Sequence, residues 1–291
     1  MNIALLNCSP LPEPDPDEAP LLAALKAAGH GARTVPWNTT EPGALAEFDA
    51  AMLRATWDYY HDLPRFLDWL EGASAATTVL NPLDVVRANA DKGYLRALAE
   101  RGVPIVPTEF VSRGESVDLV GVVGRRGWNE IVVKPTVGAG SFMTSRFAAD
   151  RLDSAADVLA EMLKTRDAMV QEYVRSVDEI GERTIVCLSG EPSHAAVKRP
   201  RFADQDESVG VFPMTAKELG FAGRVLAAQA LDAGGEAPLY ARVDVFDAPD
   251  GSLMLSELEL IEPSLYFGLA PGSAERFVLA LEARLAGKSV R

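Results

Sequence analysis

The stretch ARVDVFDAPDGSLMLSELEL (residues 241–260) decides the fold of this chain. Apolar and polar residues alternate on both sides of a central Asp-Gly dipeptide, which is typical of a tight hairpin turn, so two antiparallel strands are predicted. A two-residue turn pairs Asp244 with Glu257 and Arg242 with Glu259. Because side chains two residues apart share a face of a strand, all four project from one side of the hairpin.

Three carboxylates lie together on this predicted face. The same face carries four apolar or aromatic residues, Tyr240, Phe246, Leu253 and Leu255. Like charges on a half-buried face repel one another, and a divalent cation removes that penalty. Oxygen ligands without histidine or thiolate favour Mg²⁺ or Mn²⁺, so we predict that Asp244, Glu257 and Glu259 bind metal. Neutralising Glu257 is expected to relieve repulsion in the metal-free protein. The alternative is an exposed acidic edge paired with surface lysines.

Away from the hairpin, the pattern changes along the chain. Helical spacing separates short apolar runs, which fall at 3–6, 32–36, 51–55 and near Val79. This alternation predicts a small parallel α/β unit at the N-terminus. From about residue 168 the sequence becomes rich in predicted strands.

The predicted fold class is therefore α/β (α+β), with three units. Residues 1–84 form an N-terminal α/β substrate domain, residues 85–168 a central subdomain with a phosphate loop, and residues 169–291 a C-terminal subdomain with the metal site. The length of 291 residues is sufficient for two or more domains with their own cores.

Composition excludes several classes of protein. The chain has 28 Lys+Arg against 42 Asp+Glu and a formal net charge of −14, which disfavours nucleic-acid and anionic-membrane partners. The N-terminus has no basic region followed by a long apolar core, so neither a signal peptide nor a membrane anchor is predicted, and we expect a cytoplasmic protein. Its two cysteines exclude a disulfide framework and a four-cysteine zinc site.

Small residues and lysines mark a second candidate site. Lys134 ends the apolar strand IVVK, and Gly138-Ala139-Gly140-Ser141 follows within a few residues. Small residues let backbone N–H groups approach a phosphate closely. An ordinary glycine turn beside a lysine whose ammonium reaches solvent is the alternative. Lys92 and Lys198 also lie at the ends of predicted elements, and cations focused beside a metal suit a nucleoside triphosphate.

A third candidate region follows the predicted strand 51–55. Loops at the carboxyl ends of parallel strands commonly carry binding residues. This loop offers Arg54 for a substrate carboxylate and Asp58 for an ammonium group. The further substrate candidates are Trp57, Tyr59 and Arg87. The alternative is that the aromatic residues pack between units while Arg54 and Asp58 pair with each other.

Taken in order, seven short motifs resemble the ATP-grasp superfamily, on its glutathione-synthetase-like and ribosomal-S6-modification-like branch. They are NADKGYL (89–95), VVKPTVGAGS (132–141), MVQEYV (169–174), GERTIV (181–186), AVKRP (196–200), YARVDV (240–245) and SELELIEP (256–263). The chain is also similar to cyclo-ligases that close the cycloserine ring. The motifs cover residues 85–265 and leave residues 1–80 without a fingerprint.

The resemblance implies a role for each matched position. Lys92 and Lys134 would contact the α- and β-phosphates of ATP, under a lid formed by the loop with Gly138, Gly140 and Ser141. The adenine pocket would be lined by Gln171, Glu172, Tyr173 and Val174. Glu182, or else Glu179, would bind the ribose hydroxyls. Lys198 and Arg242 would face the transferred γ-phosphate, and Asp244, Glu257 and Glu259 would hold two Mg²⁺.

One position departs from the family pattern. The last motif usually reads Glu-x-Asn, whereas this chain has Glu257-x-Glu259. The resemblance implies an ATP-dependent carboxylate–amine ligase that forms an acyl phosphate from a small amino-acid-like acid. The nucleophile is a second molecule or part of the same one, and the oligomeric state stays open. A small-molecule kinase on this scaffold, or a non-catalytic nucleotide-binding regulatory module, are the alternatives.

Overall fold

Three β-sheets organise this chain. The computed structural model of the protein describes residues 1–199, 208–231 and 235–287. None of the helices in those ranges is both long and apolar enough to cross a membrane. Each sheet is built from a separate stretch of sequence, and helices pack against it.

The N-terminal sheet is parallel, with strand order β2-β1-β3-β4. Its strands are β1 (Asn2–Asn7), β2 (Gly31–Pro36), β3 (Ala50–Ala55) and β4 (Thr78–Leu80), and its helices are α1 (Glu18–Ala27) and α2 (Leu63–Ala76). The central strands β1 and β3 are buried almost throughout because helices cover both faces of the sheet. The predicted parallel α/β unit is confirmed.

A four-stranded antiparallel sheet follows, with strand order β5-β8-β6-β7. Its elements in chain order are α3 (Leu83–Asn89), α4 (Tyr94–Glu100), β5 (Thr108–Val111), α5 (Leu119–Arg126), β6 (Glu130–Pro135), β7 (Ser145–Ala148), α6 (Leu152–Met162) and β8 (Ala168–Glu172). The predicted boundary between residues 168 and 169 falls inside β8, which pairs with β5 and β6 of this sheet. The domain boundaries as a whole stay a prediction.

The C-terminal sheet is also antiparallel, with strand order β11-β10-β9-β12-β13. Its elements are α7 (Ser176–Glu179), β9 (Glu182–Leu188), β10 (Glu191–Arg199), β11 (Ser208–Phe212), α8 (Ala216–Ala230), β12 (Tyr240–Asp247), β13 (Leu253–Glu259) and α9 (Ser273–Leu285). Helix α8 begins at a capping box in which Thr215 and Glu218 satisfy each other's backbone N–H groups.

Two buried asparagines fix the predicted hairpin to the rest of the chain. The amide of Asn81 donates to the carbonyls of Tyr240 and Leu260 at 2.8 and 2.9 Å. The amide of Asn89 donates to the carbonyl of Leu258 at 2.8 Å and accepts from the N–H of Leu260 at 2.9 Å. Because each buried amide uses both its donor and its acceptor, these contacts specify one docking geometry for the hairpin.

Candidate active site

The hairpin forms as predicted at the residues that matter for the site. Arg242 pairs with Glu259 and Asp244 with Glu257 across β12 and β13. All four side chains project from one face, where they meet basic residues from other elements. The predicted juxtaposition of the three carboxylates is confirmed.

The turn and the apolar residues of the hairpin differ from the prediction. The turn is longer than two residues, because the N–H of Gly251 bonds to Ala248 and the N–H of Ala248 bonds to Ser252, both at 2.8 Å. Ser256 is an extra residue on β13, since Val245 pairs with Leu255 while Asp244 pairs with Glu257. This β-bulge compensates for the longer turn and restores the predicted register at the carboxylates.

The bulge also reverses the direction of two leucines. Leu253 and Leu255 were expected on the acidic face, yet both lie in the apolar core with Val243 and Val245, on the opposite face of the hairpin. A one-residue insertion reverses side-chain alternation, so the prediction for these two residues was wrong.

Two cations neutralise the Asp244 carboxylate. Arg242 contacts it through Nε at 2.9 Å and Nη2 at 2.8 Å, and the ammonium of Lys198 lies 3.2 Å away. Burial opposes the charged carboxylate, but the two cations hold the pKa of Asp244 below its usual value. Lys198 also pairs with Glu182 at 2.9 Å, and Arg242 with Glu259. The residues therefore form one connected ionic network.

The Glu257 carboxylate belongs to a second part of this network. The ammonium of Lys92 lies 3.0 Å from it and donates to the carbonyl of Gly138 at 2.5 Å. Although burial opposes both charges, this pairing lowers the pKa of Glu257 and raises that of Lys92. The Lys92 contact joins the hairpin to the small-residue loop, as expected if both serve one site.

Lys134 has a different environment. It lies at the end of β6, and among the described residues its ammonium has neither a hydrogen bond nor an ion pair. Burial lowers its pKa, and the neighbouring ammonium groups of Lys92 and Lys198 lower it further while Glu257 opposes them. A partly buried ammonium without a counter-ion is suited to an anionic ligand.

The small-residue loop has an unusual backbone. Gly140 has a φ of 57° and Ser141 a φ of 61°, in the left-handed region that glycine adopts readily and serine rarely does. The loop reaches the N-terminal unit, because the Phe142 ring lies 4.6 Å from the ring of Tyr60 and 5.5 Å from that of His61. The loop thus connects the central sheet to the loop predicted to bind substrate.

The predicted adenine segment covers the last two residues of β8 and the two residues after it. The side chain of Gln171 donates to Thr108 at 2.9 Å, and the guanidinium of Arg146 lies 3.5 Å from the centre of the Tyr173 ring. Val174 is buried, and the partly exposed Glu172 has a pKa that burial raises. Of the two ribose candidates, Glu182 is paired with Lys198 whereas Glu179 is exposed on the short helix α7. The structure therefore places only Glu182 in contact with the network.

Arg54 and Asp58 do not pair with each other, and Nε and Nη1 of Arg54 have no hydrogen-bond partner among the described residues. Arg54 is only 3% exposed, donates to the carbonyl of Pro263 at 3.0 Å and lies 3.6 Å from Asp17. The carboxylate of Asp58 accepts from Trp37 at 2.6 Å and Asn38 at 2.8 Å. Asp58 thus already binds two donors of its own unit, which disfavours its predicted role toward an ammonium group.

The remaining substrate candidates are also largely occupied. Tyr59 is buried and packs on Phe66, and Arg87 is exposed and pairs with Glu71 on α2 at 2.6 Å. These contacts support the packing alternative for Tyr59 and a surface position for Arg87. Trp57 is half-buried, and its indole donates to the carbonyl of Glu262 at 3.4 Å, so Trp57 contacts the segment after β13.

That segment holds two residues that the sequence analysis did not select. Glu262 is 8% exposed, and burial raises its pKa to about 8, with Glu259 adding to the effect. Tyr266 has its ring 5.8 Å from the guanidinium of Arg242. The available signal was an acidic residue directly before Pro263, where the regular alternation of β13 has already ended.

The carboxylates have suitable chemistry for a metal but are engaged by cations. Within residues 1–199, 208–231 and 235–287, no three acidic, histidine or cysteine side chains form a group that could hold a metal ion as they stand. Burial raises the pKa of Glu259 to about 7, and the carboxylates of Asp244 and Glu257 raise it although Arg242 lowers it. All three carboxylates offer hard oxygen atoms to a metal, and a bound cation would reduce the repulsion between their charges.

Known proteins share this architecture. A family described as D-cycloserine synthetase DcsG, N-terminal domain, matches residues 3–81. The cycloserine biosynthesis protein DcsG of Streptomyces lavendulae is 33% identical over 288 residues, which cover 93% of this chain and 94% of that protein. This chain belongs to the DcsG family. The family match confirms the predicted resemblance and identifies an enzyme, an ATP-dependent ligase of the ATP-grasp fold.

Solved structures agree with membership of the DcsG family. The crystal structure of D-cycloserine synthetase DcsG superposes with a TM-score of 0.89 at 30% identity, covering 98% of this chain and all of the other. The D-alanine–D-alanine ligase of Bacillus anthracis, solved in complex with ATP, gives a TM-score of 0.69 at 15% identity, covering 99% and 98%. This second likeness shows the fold alone. The predicted fold class, α/β with an ATP-grasp core, is confirmed.

Proposed function

We propose that this enzyme uses ATP to close a ring by joining the carboxylate of an amino acid to a nitrogen of the same molecule. The observation that carries the proposal is 33% identity to a cycloserine biosynthesis protein over nearly the whole chain. Cycloserine is a cyclic amide of an amino acid in which the ring nitrogen is bonded to oxygen. The proposed substrate class is therefore an amino acid whose side chain carries nitrogen bonded to oxygen.

The ionic network provides groups for each part of ATP. Lys134, which has no ion pair among the described residues, and Lys92 would contact the α- and β-phosphates beneath the loop of residues 138–141. Residues 171–174 would line the adenine pocket, and Glu182 would bind the ribose. Lys198 and Arg242 would face the γ-phosphate. Both cations contact the Asp244 carboxylate and so lie side by side.

Magnesium fits the chemistry of the remaining groups. Asp244, Glu257 and Glu259 present only carboxylate oxygens, and burial together with the carboxylates of Asp244 and Glu257 raises the pKa of Glu259. These three residues would hold Mg²⁺ while they also form ion pairs with Lys92, Lys198 and Arg242. When bound, the metal would neutralise charge on the phosphates during transfer.

Two steps follow from the proposed chemistry. The substrate carboxylate oxygen attacks the γ-phosphorus, and the bond to the bridging oxygen of ADP breaks, giving an acyl phosphate and ADP. The side-chain nitrogen then attacks the carbonyl carbon, loses a proton to a base, and expels inorganic phosphate. Arg242 and Lys198 stabilise the negative charge that develops on the phosphoryl oxygens.

Exclusion of water is the main requirement between these steps, because water also cleaves an acyl phosphate. The contact of Phe142 with Tyr60 and His61 closes the loop of residues 138–141 against the N-terminal unit. A closed loop would retain the intermediate until the nitrogen attacks.

The test is a screen of ADP release with D- and L-serine derivatives that carry nitrogen on the side-chain oxygen. We expect release of ADP and inorganic phosphate, together with one cyclic product detected by mass spectrometry. A phosphorylated product would instead indicate a kinase. Binding of ATP without turnover of any acid in the panel would contradict the proposed substrate class.

A further inference from the structure

Tyr266 has a backbone conformation that tyrosine rarely adopts. Its φ is 52° and its ψ 38°, in the left-handed region. For a residue other than glycine this conformation costs about 1–2 kcal/mol and persists only where the surroundings enforce it. Residues with strained backbone of this kind are found mainly at functional sites.

A single carboxylate holds the backbone around Tyr266. Asp17 is 1% exposed and accepts hydrogen bonds from three successive N–H groups, those of Leu265 at 2.5 Å, Tyr266 at 3.1 Å and Phe267 at 2.8 Å. Hydrogen bonds to an ionised acceptor are among the stronger ones in proteins. Asp17 lies immediately before α1, so the N-terminal unit determines the conformation of this C-terminal segment.

Further buried side chains fix the carbonyls of the same segment. Arg54 donates to the carbonyl of Pro263 at 3.0 Å, and Nε2 of His194 lies 2.6 Å from the carbonyl of Leu265. Arg242 contacts the carbonyl of Ser264 at 3.5 Å. Together with Asp17, these contacts leave residues 263–267 little freedom.

The enforced conformation directs the ring of Tyr266 toward the ionic network. The ring centre lies 5.8 Å from the guanidinium carbon of Arg242, which contacts Asp244 and Glu259. Among the residues that the structure describes, the phenol hydroxyl has no hydrogen-bond partner. Burial raises the pKa of Tyr266, so the hydroxyl keeps its proton and is a donor at neutral pH.

We propose that Tyr266 is a substrate-contacting residue, whose hydroxyl donates a hydrogen bond to the carboxyl group that is activated beside Arg242, and that Asp17 is its positioning residue. The inference rests on the proposed function, because it assigns the acid site next to the γ-phosphate. If the Tyr266 ring only packed against Arg242, removing the hydroxyl would not change binding of the acid.

The decisive variant is Tyr266→Phe, which keeps the ring and removes only the hydroxyl. We expect the KM of the acid to rise ~tenfold or more, with the KM of ATP and the melting temperature nearly unchanged. Tyr240→Phe is the matched control, because the Tyr240 hydroxyl bonds only to backbone carbonyls of Leu53, Leu80 and Ile261. It should lower the melting temperature without changing the KM of the acid.

Asp17→Asn tests the positioning role. The variant keeps the size of the side chain but weakens the acceptor for three N–H groups, so it should raise the KM of the acid at least as much as Tyr266→Phe does. The double variant should be no worse than the worse single variant, because both act through one contact. Additive losses would overturn the positioning role of Asp17.

A binding measurement separates this inference from the proposed function. With ADP present, titration of D-cycloserine into wild type and Tyr266→Phe should give a Kd ~tenfold weaker for the variant, because the hydroxyl would also donate to the carbonyl oxygen of the product. If the wild type binds D-cycloserine and turns over the acid, and Tyr266→Phe changes both by less than twofold, the inference is overturned. The proposed function then stands. A wild type that neither binds D-cycloserine nor turns over any acid would overturn the proposed function, and the inference with it.

Discussion

The ammonium of Lys92 lies 3.0 Å from the carboxylate of Glu257, although the two residues belong to different units of the chain. The pair places one lysine of the proposed phosphate site in direct contact with one proposed metal ligand. It also changes what neutralising Glu257 should do. The crowding of carboxylates predicted from sequence alone implied a gain in stability, whereas the ion pair implies a loss.

Glu257→Gln should therefore destabilise the protein by about 2 kcal/mol, because it leaves the Lys92 ammonium buried without its partner. Glu259→Gln should leave stability unchanged or raise it at pH 8, since it removes a carboxylate whose pKa burial and the neighbouring carboxylates raise to about 7. Both variants should lose turnover. Urea denaturation of the metal-free proteins at pH 8 measures the difference, and equal effects of the two substitutions on stability would contradict the ionic network.

Lys134→Ala should weaken ATP binding ~tenfold or more while the fold stays intact. Lys134 is partly buried and has no ion pair among the described residues, so its charge is available to a phosphate. Isothermal titration calorimetry with ATP and Mg²⁺ measures the affinity. Lys164→Ala removes the same charge from an exposed i,i+3 pair with Glu161 and serves as the control. Unchanged affinity in Lys134→Ala would remove this residue from the phosphate site.

Glu262 should make stability depend on pH. Its pKa is raised from 4.5 to about 8, so the stability linked to this group is fully present below pH 4.5 and is lost as the pH rises through about 8. Glu262→Gln cannot ionise, so its stability relative to wild type should grow between pH 5 and pH 9. Denaturation of both proteins across this range measures the trend. Glu161→Gln, at an exposed position of α6, is the control for removing one surface carboxylate.

Phe142→Ala should uncouple ATP use from product formation. The Phe142 ring contacts Tyr60 and His61, and its loss would let water reach the acyl phosphate. We expect the ratio of ADP released to ring product to rise from about one to roughly two or more. Simultaneous assay of ADP and cyclic product measures the ratio. Met143→Ala, at an exposed neighbouring position of the same loop, should leave the ratio unchanged.

The hairpin illustrates how far the sequence predicts the site. Its facing pairs, Asp244 with Glu257 and Arg242 with Glu259, could be derived because strand alternation is local. The faces of Leu253 and Leu255 could not be predicted. The bulge at Ser256 depends on the length of the turn and on packing of the leucines in the core.

The proposed substrate loop shows the opposite case. Arg54 and Asp58 were plausible ligands by residue type, yet their partners come from distant parts of the chain. Asp58 binds Trp37 and Asn38, and Arg54 bonds to Pro263, which is 209 residues away. Glu262 was not selected at all, since its raised pKa arises from burial that residue spacing does not reveal.

Sequence alone determined the features that depend on residues close together in the chain. These are the parallel N-terminal unit, the acidic hairpin, the loop of small residues and the order of the ATP-grasp motifs. Tertiary structure decided which cation neutralises which carboxylate, and it decided the left-handed conformation of Tyr266. The physical reason is the separation along the chain. The Asp17 carboxylate that holds Tyr266 lies 249 residues before it, and only folding brings the two together.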